Sequence, residues 1–200
     1  EKLQSFISKT ANLKYHIYSY KIRDERFSQQ YRATVGADLM TKEIAVDGQS
    51  VTLQVMLDMI GFEISDLDTA GQERFQNLGG QFYKGSDLCV LTFDITKADS
   101  LKSLDTWKAS FLEYAAPEDQ SQVSFIVLGL SRDLKRNLTK PGNKVDRPDR
   151  QVPTESAQKW CKDNGDIEFF EVSAKENTGI KEAFDAVART VLKKSKEEET

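Results

Sequence analysis

The sequence has little of what metal clusters and disulfide scaffolds require. It holds two cysteines, Cys89 and Cys161, far apart and without Cys-x-x-Cys spacing, and one histidine, His16. Two lone thiols argue against a disulfide framework or a cysteine-rich zinc site and point to a reducing compartment. A single imidazole argues against a histidine metal cluster and a histidine-dependent triad. No apolar run approaches the ~18 residues of a membrane span. Positive charge is also in deficit: 28 Lys and Arg against 32 Asp and Glu leave a net charge of −4. That balance argues against a nucleic-acid binder that works by bulk charge. The chain starts at Glu1 with no signal peptide, and is expected to be a processed chain or a fragment.

What is present suits one ordinary domain of 200 residues, with 38% apolar and 30% charged side chains. Four apolar, β-branched runs stand out, at 44–55, 88–95, 123–128 and 167–172. The last three are nearly continuous, the pattern of strands buried on both faces. Asp47-Gly48 splits the first into a hairpin. Helical faces lie between and after these runs. One carries Leu101, Leu104, Trp107, Phe111 and Leu112, a second runs from Thr154 through 157–161, and a third carries Ile180, Ala183, Phe184, Val187 and Val191. Thr178 is placed to cap the third helix. Strands alternating with helices predict an α/β fold with a mostly parallel sheet and helices on both faces. Residues 1–26 are the least readable part. Tyr15, Ile17, Tyr18, Tyr20 and Ile22 fit a short strand or one side of a helix, and periodicity does not separate the two. The charged end, 193–200, reads as a helix extension or a frayed tail.

Three strings carry chemistry. The longest is Asp68-Thr69-Ala70-Gly71-Gln72-Glu73-Arg74-Phe75, too specific for an incidental turn. A carboxylate at a strand end can hold a Mg²⁺ water, a glycine lets its N–H approach a γ-phosphate, and a neighbouring Gln can orient an attacking water. Asn143-Lys144-Val145-Asp146 is the second. Its carboxylate can accept two N–H bonds from a guanine edge, its amide can meet the purine N7, and its lysine stem can lie along the base. Alone it is also an ordinary polar loop. The third, Ser173-Ala174-Lys175, follows the 167–172 strand, where a backbone N–H can reach guanine O6; alone it is a strand-end turn. Together and in this order they point to one site at the carboxyl ends of the strands. Thr34, in Tyr31-Arg32-Ala33-Thr34-Val35-Gly36-Ala37-Asp38, offers a hydroxyl that can complete a Mg²⁺ shell.

On these residues, with Phe27-Ser28-Gln29-Gln30, Phe82-Tyr83-Lys84-Gly85 and Gln151-Val152, the chain resembles the Rab branch of the Ras-superfamily small GTPases, nearest the late-endosomal Rab-seven subfamily. The resemblance implies a sheet of five or six strands in a P-loop NTPase-like fold. It implies binding of GTP and GDP with Mg²⁺, slow GTP hydrolysis, and control by exchange factors, activating factors and effectors on the cytoplasmic face of late endosomes and lysosomes. In that picture Thr34 binds Mg²⁺ directly and Asp68 through water, Gly71 meets the γ-phosphate, and Gln72 positions water. Asn143, Lys144, Asp146, Ser173, Ala174 and Lys175 hold the guanine.

Four places depart from the family. Residues 1–26 contain no glycine, so the phosphate loop is missing and the first strand is expected to be degraded. Ser8-Lys9-Thr10 keeps a charge and a hydroxyl of that motif but no nest of N–H groups. Weak or absent nucleotide binding is therefore expected, by several decades of affinity. Stretches 56–67 and 130–142 read as insertions into a 27–192 domain, the second looping into solvent at a small entropic cost. Of the aromatic triad that Rab effectors read, Leu39 replaces the first member, the second gives way to the inserted stretch before Asp68, and Tyr83 remains. The C-terminus ends without prenylated cysteines. Two alternatives to an active switch stay open: a non-hydrolysing pseudo-GTPase binding module, and a faulty or partial product of a normal Rab gene.

Overall fold

In a computed structural model, the described residues are 2–8, 37–58, 83, 86–115, 123–131, 150–173 and 176–198. Their strands are β1 (Lys2–Ser8), β2 (Ala37–Val46), β3 (Gln49–Asp58), β4 (Leu88–Asp94), β5 (Ser124–Leu130) and β6 (Glu168–Val172). Their helices are α1 (Ala98–Ala115), α2 (Thr154–Asp163) and α3 (Ile180–Glu198). The strands form one sheet in the order β2-β3-β1-β4-β5-β6. Every pairing is parallel except the β2–β3 hairpin. This is the α/β architecture that the alternating runs predict.

The nearly continuous apolar sequence of β4, broken only by Thr92 and the terminal Asp94, is explained by its burial along the whole strand. Side chains alternate across a strand, so one run feeds two layers. Leu88 and Val90 join Leu53, Val55, Ile126 and Leu128 in a core against Phe184, Val187 and Val191 of α3. Cys89, Leu91 and Phe93 face the other way, with Leu104 and Phe111 of α1 and Ala157 and Cys161 of α2. Gly129 lies in this second layer; a Cβ there would stand 3.1 Å from the rings of both Phe93 and Phe169. The bare glycine lets those rings stack, with centroids 6.0 Å apart. The hairpin turn needs left-handed backbone at both central residues, and Asp47 (φ 51) and Gly48 (φ 76) supply it.

The structure corrects one expectation outright: the sheet has its first central strand. β1 runs between β3 and β4, in register from Lys2 opposite Thr52 to Ile7 opposite Leu57, and from Ser5 opposite Leu88 to Ser8 opposite Leu91. Gln4 and Ser5 interrupt its apolar residues, so no period marks it. Pairing on both edges overrides that weak local preference. The insert-like stretches also begin inside strands. β3 takes in Met56, Leu57 and Asp58, and β5 takes in Leu130. The 193–198 stretch is the continuation of α3. Thr178 does not act as the expected helix cap: it exchanges backbone hydrogen bonds with Ser173, and Gly179 intervenes before α3.

Candidate functional site

The carboxyl ends of β4, β5 and β6 are tied together by main chain. Ile95 N–H donates to Leu130 O at 3.1 Å, and Ser131 N–H donates to Val172 O at 3.0 Å. The chain that returns after the 132–149 stretch docks on the same rim. Gln151 and Val152 N–H both donate to Ile95 O, at 2.9 and 3.0 Å. Below the rim, the buried Asp94 accepts from Thr96 N–H at 2.9 Å and from Thr96 Oγ1 at 2.6 Å. That carboxylate closes the β4–α1 turn.

Beyond β6 the chain folds back on itself. Ser173 N–H donates to Thr178 O at 3.0 Å, and Thr178 N–H donates to Ser173 O at 3.2 Å. Ser173 is buried, and its Oγ accepts from Glu176 N–H at 3.3 Å. Gly179 ends the loop with φ +72, and a Cβ there would stand 2.3 Å from Glu171 O. Only glycine permits this approach of backbone to backbone.

A charged cluster joins the returning chain at Arg150 to β6. Arg150 Nη1 donates to Glu171 Oε1 at 2.9 Å and Nη2 to Glu171 Oε2 at 2.6 Å, a two-pronged pair. Nη1 also reaches Val152 O at 3.0 Å and Thr154 Oγ1 at 3.1 Å. Thr154 Oγ1 in turn donates to Glu171 Oε1 at 2.8 Å. The Arg150 side chain is 13% exposed and that of Glu171 32%. The hydrogen bond to Glu171 raises the guanidinium pKa above its ordinary value, against the opposing effect of desolvation. Both cysteines are free and buried. Burial pushes the Cys89 thiol well up and the Cys161 thiol up to about 11, so both are protonated at neutral pH.

Among the sequence-predicted site residues, Ser173 is described, at the end of β6. Thr34, Asp68, Gly71, Gln72, Asn143, Lys144, Asp146, Ala174 and Lys175 lie outside the described residues. Leu39 stands on β2 opposite Met56. Tyr83, expected from the resemblance to remain on the surface that partners read, is 5% exposed and packs its ring 5.4 Å from that of Phe111. Its ring belongs to the buried core around Phe111. Among the described residues no group of three potential metal ligands occurs, and no helix is long and apolar enough to cross a membrane.

The residues that sequence reasoning passed over are the supports. Arg150, Thr154 and Glu171 meet only through the fold, and their spacing carries no signature. Asp58 did have a signal. It ends β3, and Asp58-Met59-Ile60-Gly61 repeats the Asp-x-x-Gly spacing of 68–71. The fit to a guanine nucleotide is uneven. The base end has its backing in the closed 173–178 turn and the Arg150–Glu171 pair. At the phosphate end, the first glycine of the chain is Gly36, and the residues that follow β1, from Lys9, lie outside the described residues.

Comparison with known proteins gives consistent relatives. The family model described as the Ras family matches residues 16–193. The chain is 47% identical over 175 residues to "Ras-related protein Rab-7a" of Paramecium octaurelia, covering 87% of this chain and 73% of that protein. It is 43% identical over 176 residues to "Ras-related protein Rab7" of Drosophila melanogaster, covering 88% and 73%. It is 41% identical over 177 residues to "GTP-binding protein yptV5" of Volvox carteri, covering 88% and 75%.

Proposed function

The chain belongs to the Ras family of small GTPases, in the Rab branch and Rab7-like, and on that premise we propose that it is a guanine-nucleotide switch of late-endosome and lysosome traffic. The observation that supports this reading is the shared rim at the ends of β4, β5 and β6, where main-chain bonds tie Ile95 to Leu130, Gln151 and Val152, and Ser131 to Val172, next to the Ser173 turn. Guanine is read there by Asn143, Lys144 and Asp146 from one loop and by Ser173, Ala174 and Lys175 from the other. Asp146 accepts the two N–H groups of the guanine edge, which an adenine edge cannot offer. Thr34 and Asp68 are the residues that would hold Mg²⁺, Gly71 would meet the γ-phosphate, and Gln72 would orient water. The position of Asp58 at the end of β3 makes it a second candidate for the Mg²⁺ carboxylate. Exchange factors, activating factors and effectors are the expected partners, with contact weakened where Leu39 replaces an aromatic and where Tyr83 is buried.

The test is equilibrium titration of the full chain with a fluorescent GDP analogue, competed by GDP and by ADP. Displacement by GDP and not by ADP is expected, at affinities several decades weaker than an intact phosphate loop would give. Equal displacement by both nucleotides would overturn the guanine reading. The absence of glycine before Phe27 favours a second reading, a binding module that does not hydrolyse GTP. Single-turnover hydrolysis under saturating GTP and Mg²⁺ separates the two. Comparing Asp68→Asn with Asp58→Asn, by the Mg²⁺ dependence of GDP affinity, assigns the carboxylate.

A further inference from the structure

We propose that Asn164-Gly165 is a site of self-modification, where the asparagine side chain loses its amide through a succinimide ring, and that Lys108 on α1 is the latch that holds this reaction back. The reaction needs no nucleotide.

The sequence has six asparagines, and Asn164 alone is followed by glycine. A glycine nitrogen is the least shielded backbone nucleophile, because no Cβ stands beside it. Once hydroxide has taken its proton, the Gly165 nitrogen can bond to the Asn164 side-chain carbonyl carbon. The bond from that carbon to Nδ2 then breaks, and ammonia leaves with a proton from water. A second water opens the ring at one of its two carbonyls, giving aspartate or isoaspartate. Water is the only co-reactant, and the side chain passes from neutral to negative. Gly165 is exposed and Asn164 half-buried, so solvent reaches the pair. A Cβ on Gly165 would meet nothing within 4 Å, which leaves room for the ring.

The folded chain restrains every group that the attack requires. Asn164 caps the end of α2 with φ −102 and ψ 15. Its amide is held at both ends: Oδ1 accepts from Lys108 Nζ at 3.1 Å, and Nδ2 donates to Trp160 O at 3.0 Å. Lys108 Nζ also donates to Asn164 O at 3.1 Å and stands 5.6 Å from the centre of the Phe125 ring. The Gly165 N–H donates to Lys162 O at 3.3 Å. A nitrogen whose proton is held by a carbonyl attacks poorly, and a side chain fixed at both ends cannot swing its carbon into line. Attack therefore waits until the end of α2 opens locally. The Lys108 bonds are the part of that closure that α1 supplies, beside the Trp160 Nε1 bond to Asp105 Oδ1 at 3.0 Å. Isoaspartate would lengthen the main chain by a methylene within the turn that leads to β6, where Ile167 N–H donates to Cys161 O at 3.1 Å. Each productive opening thus leaves a permanent mark.

The test incubates the full chain and its Lys108→Met variant at mildly alkaline pH, folded and in urea. Conversion is read by peptide mass spectrometry and by enzymatic methylation of isoaspartate. In urea both chains are expected to convert Asn164 at the same rate, ahead of the other asparagines. Asn164 converting no faster than the others there overturns the site. Folded, the unaltered chain is expected to convert about a hundredfold more slowly than in urea, and Lys108→Met to recover about tenfold of that, the share held by a charged hydrogen bond. An unchanged rate in folded Lys108→Met overturns the latch. A slower rate also overturns it, because the ammonium would then be polarising the amide and promoting attack. The exposed Asn177 serves as reference within the same chain. Equal acceleration at Asn177 would mark general loosening and overturn the latch. If Lys108→Met fails to fold, Lys108→Gln, which keeps a donor without the charge, decides by the same comparison.

Discussion

The two sides of the sheet hold their strand ends in different ways. On the β4–β6 side, the ends are laced by main-chain bonds, by the Ser173–Thr178 bridge and by the Arg150–Glu171 pair. The supports belong to regular structure on either side of the recognition segments. An inserted stretch can lengthen the path between β5 and Arg150 without removing any of them. On the β1–β3 side, phosphate recognition depends on N–H groups of the loop after β1 itself. No neighbouring strand can supply those groups. With no glycine before Gly36, the chain is expected to lack that device even though β1 keeps its place in the sheet. Similar disruptions of sequence thus have unequal consequences, according to whether binding groups are backed by the scaffold or made by the loop.

The largest effects test whether the two sides share one core. Phe93 on the β4–β6 side and Leu53 on the β1–β3 side are both fully buried. Phe93→Ala is expected to cost about 3–5 kcal/mol and Leu53→Ala about 2–5 kcal/mol. Urea denaturation should show both as shifts of a single transition. Two separate transitions, or a Leu53→Ala cost near zero, would break the idea of a common core.

Two glycines with similar positive φ sharpen the contrast between a crowded and an open backbone. Gly179 packs against Glu171 O, whereas a Cβ on Gly48 would meet nothing within 4 Å. Gly179→Ala is expected to cost about 2–4 kcal/mol, adding a backbone clash to left-handed strain. Gly48→Ala is expected to cost only the strain, about 1–2 kcal/mol. Equal costs would show that the 171–179 closure yields to a methyl group.

The smallest effect is alkaline. The Cys161 thiol is raised from 9.0 to about 11 by burial. The unfolded chain therefore releases that proton first as pH rises, and stability present below pH 9 declines toward pH 11. The urea midpoint should fall over that interval in the unaltered chain and fall less in Cys161→Ala. An identical decline in both would assign the effect to other groups.

Much of the fold was legible because nearly continuous apolar runs mark strands of the sheet, although only β4 is buried along its whole length, while β6, at the sheet edge, is buried only at Val172 and not on both faces as expected. The 88–95, 123–128 and 167–172 runs correspond to β4, β5 and β6 within a residue or two. The hairpin was legible because Asp47-Gly48 is a turn by chemistry as well as by position. β1 was not, since a strand flanked by two partners can carry Gln4 and Ser5 without a period. Thr178 was misread because its local cap signal competes with a bridge to Ser173 that only the folded chain provides. The guanine-reading strings stand out in sequence because their chemistry is contiguous. Their backing, from Arg150 to Glu171, joins a loop to a strand and leaves no mark on either alone.

The central position of β1 also has a kinetic side. It is the first of the described strands in chain order, yet its partners β3 and β4 are separated from it by long stretches of chain. Its pairings are parallel and distant in sequence, the kind that form slowly because loop entropy is spent before contacts repay it. On the ribosome, Lys2–Ser8 must wait unpaired until β4 has emerged before its second edge is covered. Refolding should therefore be governed by the capture of this short N-terminal strand, and nascent chains should be most vulnerable to aggregation and proteolysis before that step.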